Sequence, residues 1–185
     1  MEKFDAAKKA IEALALKKEY IIVAIDGSCA SGKTTLASKL AEHFDCNLFH
    51  ADDFFLPPDL RTPERLAEIG GNIDYERLLN EIITPLLMRK SFSYRPFECS
   101  TQTLAEPICI TQKSINIIEG SYSLHPRLSH AYDLKILLTV TNDIRRERIL
   151  RRPQHLHDRF FNEWIPMEQR YFVETKITER CDIIL

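Results

Sequence analysis

Two periodicities take turns along the chain. Phe4, Ala7, Ile11, Leu14 and Ala15 recur at helical spacing between charged residues and predict an amphipathic opening helix. Residues 20–25 form a short apolar run rich in β-branched side chains, the pattern of a buried parallel strand. Residues 26–31 are small and turn-like, and residues 32–44 read as a helix with Leu36, Leu40 and Phe44 on one face. Residues 47–51 are a second short strand, and Pro57, Pro58, Pro63 and Gly70-Gly71 break up residues 54–71. Asp74 is placed to cap a helix over residues 75–90, buried through Leu78, Leu79, Ile82, Ile83 and Leu86. Pro85 inside it predicts a kink or an early end. Residues 91–111 alternate weakly around Pro96 and Pro107 and predict a hairpin beside the main sheet. Residues 114–118 and 134–140 are the next core strands. Asn142 is placed to cap a basic helix that Pro153 stops; a final helix covers residues 158–178, and residues 182–185 are a last strand.

Apolar strands alternating with amphipathic helices predict an α/β fold of three layers. Its sheet is mostly parallel, with about five strands joined by right-handed crossovers. A chain of 185 residues suits one domain, residues 1–185, and is short for two. The formal net charge of −2 gives no bulk attraction to nucleic acid or to a membrane surface. Lysines and glutamates interrupt the apolar residues before Tyr20, so no signal peptide is expected, and no run approaches the roughly 18 apolar residues of a membrane span. Cys29, Cys46, Cys99, Cys109 and Cys181 are odd in number and have no Cys-x-x-Cys spacing, which speaks against a zinc site or a disulfide framework. A cytoplasmic location follows as the expectation, with apolar helix faces that leave room for a homo-oligomer.

The sharpest signal is Gly27-Ser28-Cys29-Ala30-Ser31-Gly32-Lys33-Thr34, a match to the phosphate-binding loop at every required position, followed by Thr35. Small residues let the backbone fold tightly enough for several N–H groups to face phosphate oxygens, and the following helix adds its positive end. Lys33 is placed to bridge the β- and γ-phosphates of ATP, and the Thr34 hydroxyl to ligate magnesium. A predicted strand precedes the loop and a predicted helix follows it, as the motif requires.

Ligands of open α/β sheets sit beyond the carboxyl ends of the strands. That level holds Asp26, Asp52, Asp53 and Glu119. Asp26, just before the first glycine, reads as structural, and Glu119 as a metal ligand. At least one of Asp52 and Asp53 is expected to face the γ-phosphate, where a carboxylate can accept the proton of an attacking hydroxyl. Arg145, Arg148 and Arg152 share a helical face, and the arginines continue through Arg159. They predict a mobile lid over residues 152–160 that neutralises transferring phosphate, with Arg148 and Arg152 toward the nucleotide.

With these residues in place, the chain resembles the uridine kinase and phosphoribulokinase group of P-loop kinases from about Tyr20 onward. Besides the loop, the resemblance rests on Asp52-Asp53-Phe54-Phe55, Gly71-Asn72-Ile73-Asp74 and Tyr94-Arg95-Pro96-Phe97-Glu98. Ile117-Ile118-Glu119-Gly120, the Arg148-to-Arg152 cluster and Cys181-Asp182-Ile183-Ile184 follow in the group's order. The resemblance implies Asp52 as the catalytic base beside Lys33, Asp74 on ribose hydroxyls, Glu119 and Thr34 on magnesium, and Tyr94 and Phe97 against the acceptor. Asp53 and Arg159 complete the expected acceptor set. Where nucleoside kinases carry an aromatic-Asp-aromatic hairpin, this chain has Phe97-Glu98-Cys99, and its lid Arg151-Arg152-Pro153-Gln154-His155-Leu156-His157-Asp158-Arg159 also departs from the group's.

The implied activity is ATP- and magnesium-dependent phosphorylation of a small-molecule hydroxyl, foremost the 5′ hydroxyl of uridine or cytidine. A sugar, a glycerate-like acid or a vitamin precursor is the alternative acceptor. A nucleotide-dependent switch is the rival of another class, but the chain has no Asn-Lys-x-Asp segment to read guanine and no Asp-x-x-Gly after a strand.

Overall fold

A computed structural model describes residues 2–185 of the chain. Five strands form its central sheet: β1 (Ile21–Gly27), β2 (Cys46–His50), β7 (Ile115–Glu119), β8 (Leu134–Leu138) and β9 (Ile183–Ile184). Their order is β2-β7-β1-β8-β9, and every pair is parallel. Parallel strands need crossovers that cover both faces of the sheet, which is why the strands are apolar runs rather than alternating ones. β1 is buried along its whole length.

The pleat divides β1 between two cores. Ile21, Val23 and Ile25 pack with Ala7 and Ile11 of the opening helix (Glu2–Ala15) and with Leu36, Ala37 and Leu40 of the helix Lys33–His43. Ile22 and Ala24 face the other way, onto Phe49, Phe54, Leu78, Ile82, Ile118 and Tyr171. The three-layer α/β architecture is therefore as the sequence predicts. Between β2 and β7, the strands β3 (Phe92–Tyr94), β4 (Phe97–Glu98), β5 (Thr103–Leu104) and β6 (Ile108–Ile110) fold into a hairpin, with β3 pairing β6 and β4 pairing β5 antiparallel.

Several local expectations give way to packing. β1 runs on through Asp26 and Gly27, which read as a turn, because both bridge to β8. Residues 54–71 are not wholly irregular, since Thr62 caps a short helix, Pro63–Leu66, by accepting from the Arg65 N–H. Pro85 does not end its helix. A π-helical stretch, Leu79–Ile83, widens the backbone just before it, and the helical run continues to Leu87. A wider turn absorbs both the missing N–H and the ring that proline brings. The same device, Phe160–Trp164, precedes Pro166 in the long C-terminal helix. That helix breaks at Lys176, which has φ 49°, so residues 158–178 are not one element. The cap of the basic helix Asn142–Leu150 is Thr141, whose hydroxyl accepts from the Ile144 N–H at 3.4 Å, and Asn142 is the first helical residue.

Parallel registry then assembles the site. His50 lies opposite Glu119, Ile25 lies opposite Glu119 on the other side, and Gly27 lies opposite Leu138. The carboxyl ends of β2, β7 and β1 thus finish at one level, the level at which α/β sheets bind ligands.

Candidate active site

Gly27 ends β1 with φ 151°, and a Cβ there would lie 2.1 Å from the Leu138 carbonyl oxygen, so the loop can leave the sheet only through glycine. The chain turns back at Gly32, φ 102°, into the helix Lys33–His43. Leu36 is the first to return an N–H to a carbonyl of this helix, that of Gly32 at 2.9 Å. The N–H groups of Lys33, Thr34 and Thr35 before it have no helical partner and are free for a ligand. A cavity of about 840 Å³ opens over the loop, lined by residues 29–35 together with Asp52, Asn72 and Glu119. Gly27 and Ser28 stand outside the lining, and their carbonyls accept from the Lys33 Nζ at 2.8 and 3.0 Å. The Lys33 ammonium also donates to the Ser121 Oγ at 3.3 Å and is almost wholly buried.

Of the arginines, Arg148 donates to the carbonyls of Ala30 and Ser31 at 2.9 and 3.1 Å, and Arg152 lies over the Phe160 ring at 4.9 Å. Both line the cavity. Arg159 instead stacks on Trp164 at 4.8 Å, pairs with Glu163, and stands outside the lining.

The carboxylates take distinct roles. Asp26 is buried and accepts from the N–H groups of Gly27, Tyr122 and Leu124 and from the Tyr171 hydroxyl, which ties β1 to the loop after β7 and to the C-terminal helix. It is structural, as its sequence position suggests. Glu119 accepts from the Thr34 hydroxyl at 3.1 Å and meets the His50 Nδ1 at 2.7 Å. That hydrogen bond raises the His50 imidazole above its ordinary pKa, against the loss of solvent around it. Asp52 and Asp53 share a 3-10 turn, Ala51–Phe54. Asp53 is engaged: its Oδ2 accepts from the Tyr94 hydroxyl at 3.0 Å and its carbonyl accepts from Arg77 at 2.7 Å. Asp52 is open to the cavity and accepts no hydrogen bond among the described residues. The crowded cleft raises its carboxyl above the usual range first by removing water, then through Glu119 and Asp53, while Lys33 and His50 pull it down.

A hydroxyl and a carboxylate converging at the mouth of a phosphate loop are oxygen donors suited to magnesium. Thr34 and Glu119 fit that ion, with Asp52 beside them. Among the described residues no three His, Cys, Asp or Glu side chains close round a common metal point. Such a site draws its remaining oxygens from phosphates and water.

The acceptor side departs more from expectation. Asp74 is a helix cap, its Oδ1 taking the Arg77 N–H at 3.0 Å. Tyr94 is stacked on Phe54 and set edge-on to Phe49, and Phe97 lies buried beneath Arg61, so both rings belong to the packing. Asn72 lines the cavity, while its Oδ1 is buried away from solvent with no hydrogen-bond partner among the described residues. Sequence reading passed over His50, Ser121 and Glu168, which also meet here. His50 was the findable one, ending a strand two residues before Asp52. Glu168 lies 139 residues from the loop amide it touches, with no local signal.

The chain is 25% identical over 189 residues to a uridine kinase of Anoxybacillus flavithermus, covering 92% of this chain and 87% of that protein. It is 27% identical over 187 residues to a uridine kinase of Bacillus thuringiensis strain Al Hakam, covering 89% and 84%. Among solved structures, one described as a possible uridine kinase from Bacillus stearothermophilus superposes with a TM-score of 0.78 at 21% identity, over 100% of this chain and 97% of that one. No protein-family model matches the chain. Fold, phosphate loop and these likenesses together make the chain similar to uridine kinases over most of its length and support a P-loop phosphotransferase with an alcohol acceptor.

Proposed function

We propose that the chain transfers the γ-phosphate of ATP, with magnesium, to the 5′ hydroxyl of uridine or cytidine. The observation that carries the reading is the division of labour between adjacent carboxylates. Asp53 is tied to Tyr94, while Asp52 is left open to the cavity that Lys33 and Glu119 also line. A base must be free to reach the acceptor, and only Asp52 is. The likeness to proteins named uridine kinase over most of the chain supports the nucleoside.

Chemically, the loop amides and Lys33 hold the β- and γ-phosphates, with Arg148 and the lid's Arg152 toward them. Thr34 and Glu119 would hold magnesium, which would supply positive charge to the phosphate oxygens. Asp52 orients the acceptor hydroxyl in line with the γ-phosphorus and takes its proton as the new P–O bond forms and the bond to the leaving diphosphate breaks.

A second acceptor class is favoured by one observation. Tyr94 and Phe97 are each about 5–6% exposed and offer no free ring face for a base. A small alcohol without a nucleobase needs none. The test is ADP release from ATP and magnesium against uridine, cytidine, other nucleosides, pantothenate, glycerate and pentose phosphates, with the Asp52→Asn variant alongside. Turnover with uridine or cytidine, lost in the variant, is the expected result. Turnover with a non-nucleoside alone moves the acceptor to the second class, and turnover with no acceptor at all sinks both.

A further inference from the structure

The phosphate loop is held from outside by a residue none of the roles above uses. Glu168 sits in the C-terminal helix Ile165–Thr175, just past the lid, and is only 3% exposed. Its two carboxylate oxygens each stand 2.9 Å from the Cys29 N–H, at the tip of the loop. One of them also accepts from the Ser121 hydroxyl at 2.7 Å. Ser121 in turn lies 3.3 Å from the Lys33 ammonium, whose other contacts are loop carbonyls. A continuous line of hydrogen bonds therefore runs from the lid helix through Glu168 and Ser121 to the lysine that meets the phosphates.

We propose that Glu168 is a positioning residue for nucleotide binding: it fixes the Cys29 amide and, through Ser121, the place of the Lys33 ammonium. The inference rests on the nucleotide-binding reading of the loop. A buried carboxylate is costly unless its oxygens are satisfied, and here a backbone N–H and a hydroxyl satisfy them beside a lysine cation. The tip of a phosphate loop has no helix or sheet to hold it, so its geometry depends on whatever reaches its outer amides. Glu168 does so from the helix Ile165–Thr175 that follows the lid residues. Its carboxylate also acts on the Cys29 thiol, whose pKa burial first and Glu168 second push up to about 12, leaving that thiol protonated.

The test is titration of the full-length protein with a non-hydrolysable ATP analogue and magnesium, with no acceptor present, for wild type, Glu168→Ala, Glu168→Gln and Ser121→Ala. Removing a charge-assisted hydrogen-bond acceptor should weaken analogue binding about tenfold in Glu168→Ala. Glu168→Gln keeps an acceptor oxygen for Cys29 and should recover most of that loss. Ser121→Ala should cost less, and the double variant Ser121→Ala/Glu168→Ala no more than Glu168→Ala alone, because both act along one line. Should Glu168→Ala fail to fold, the comparison of Glu168→Gln with Ser121→Ala decides. Equal or tighter binding by both Glu168 variants overturns the inference, because the carboxylate would then compete with phosphate. So does a loss in Glu168→Gln as large as in Glu168→Ala that follows thermal stability. Wild-type protein that binds no analogue overturns the nucleotide reading itself, an outcome separable from the other two.

Discussion

The Tyr94 hydroxyl donates to the Asp53 carboxylate at 3.0 Å, joining the hairpin to the turn after β2 across 41 residues. The contact resolves an ambiguity that adjacency creates. Two neighbouring aspartates cannot both point into one cavity from a 3-10 turn, and the hairpin captures one of them.

Asp52 is therefore the carboxylate whose loss should stop turnover. Asp52→Asn keeps the size of the side chain and removes the base, so kcat should fall by about 10²–10⁴. Nucleotide affinity should stay within roughly threefold of wild type, since the loop holds the nucleotide. Steady-state kinetics and analogue titration check the two halves. A variant with near-normal kcat would remove Asp52 from the chemistry.

Glu119 should set the magnesium requirement. In Glu119→Gln the partner of both Thr34 and His50 loses its charge, and the magnesium concentration giving half-maximal rate should rise about tenfold or more. The measurement is rate against free magnesium at saturating ATP. An unchanged midpoint would place the ion elsewhere.

Stability should fall on the acid side because of His125. It is buried against the Tyr75 ring, 4.6 Å between centroids, with Nε2 on the Ile69 carbonyl and Nδ1 on the Arg127 N–H. Burial above all depresses its pKa below the ordinary histidine value of about 6.5. The unfolded chain thus binds the proton more readily than the folded one. The contribution is complete above pH ~6.5 and is lost as pH falls through the lower folded value. Thermal unfolding of wild type and His125→Gln between pH 8 and pH 5 should show the gap between them narrowing toward acid. A constant gap would clear His125 of the effect.

Gly27→Ala should destabilise the protein before any question of catalysis. Its Cβ would meet the Leu138 carbonyl oxygen at 2.1 Å, and moving that oxygen means separating β1 from β8. A loss of about 2 kcal/mol or more is expected from such crowding in a packed sheet, measured by denaturant unfolding without nucleotide. Gly32→Ala, where the nearest atom is the Arg148 Nη1 at 3.7 Å, should cost less, with the φ of 102° as its main penalty.

The sequence by itself determined the elements whose cause is local. β-branched runs make strands buried on two faces, helical spacing makes the covering layers, and the glycine-lysine-threonine loop carries its own geometry wherever a strand and helix flank it. The five-stranded parallel sheet and the positions of Lys33, Thr34, Asp52 and Glu119 near its carboxyl edge were legible on those grounds. Local capping was legible to within a residue, Asp74 being placed correctly and the 142 helix being capped one position early, because Thr and Asn both suit that role. The tertiary structure alone decided what depends on contact between distant segments. Parallel register set His50 against Glu119, the hairpin took Asp53 and buried Tyr94 and Phe97, and the C-terminal helix brought Glu168 to the Cys29 amide. A side chain's role is fixed by which groups desolvate and hydrogen-bond it. Those groups lie tens to more than a hundred positions away, at separations no periodicity records.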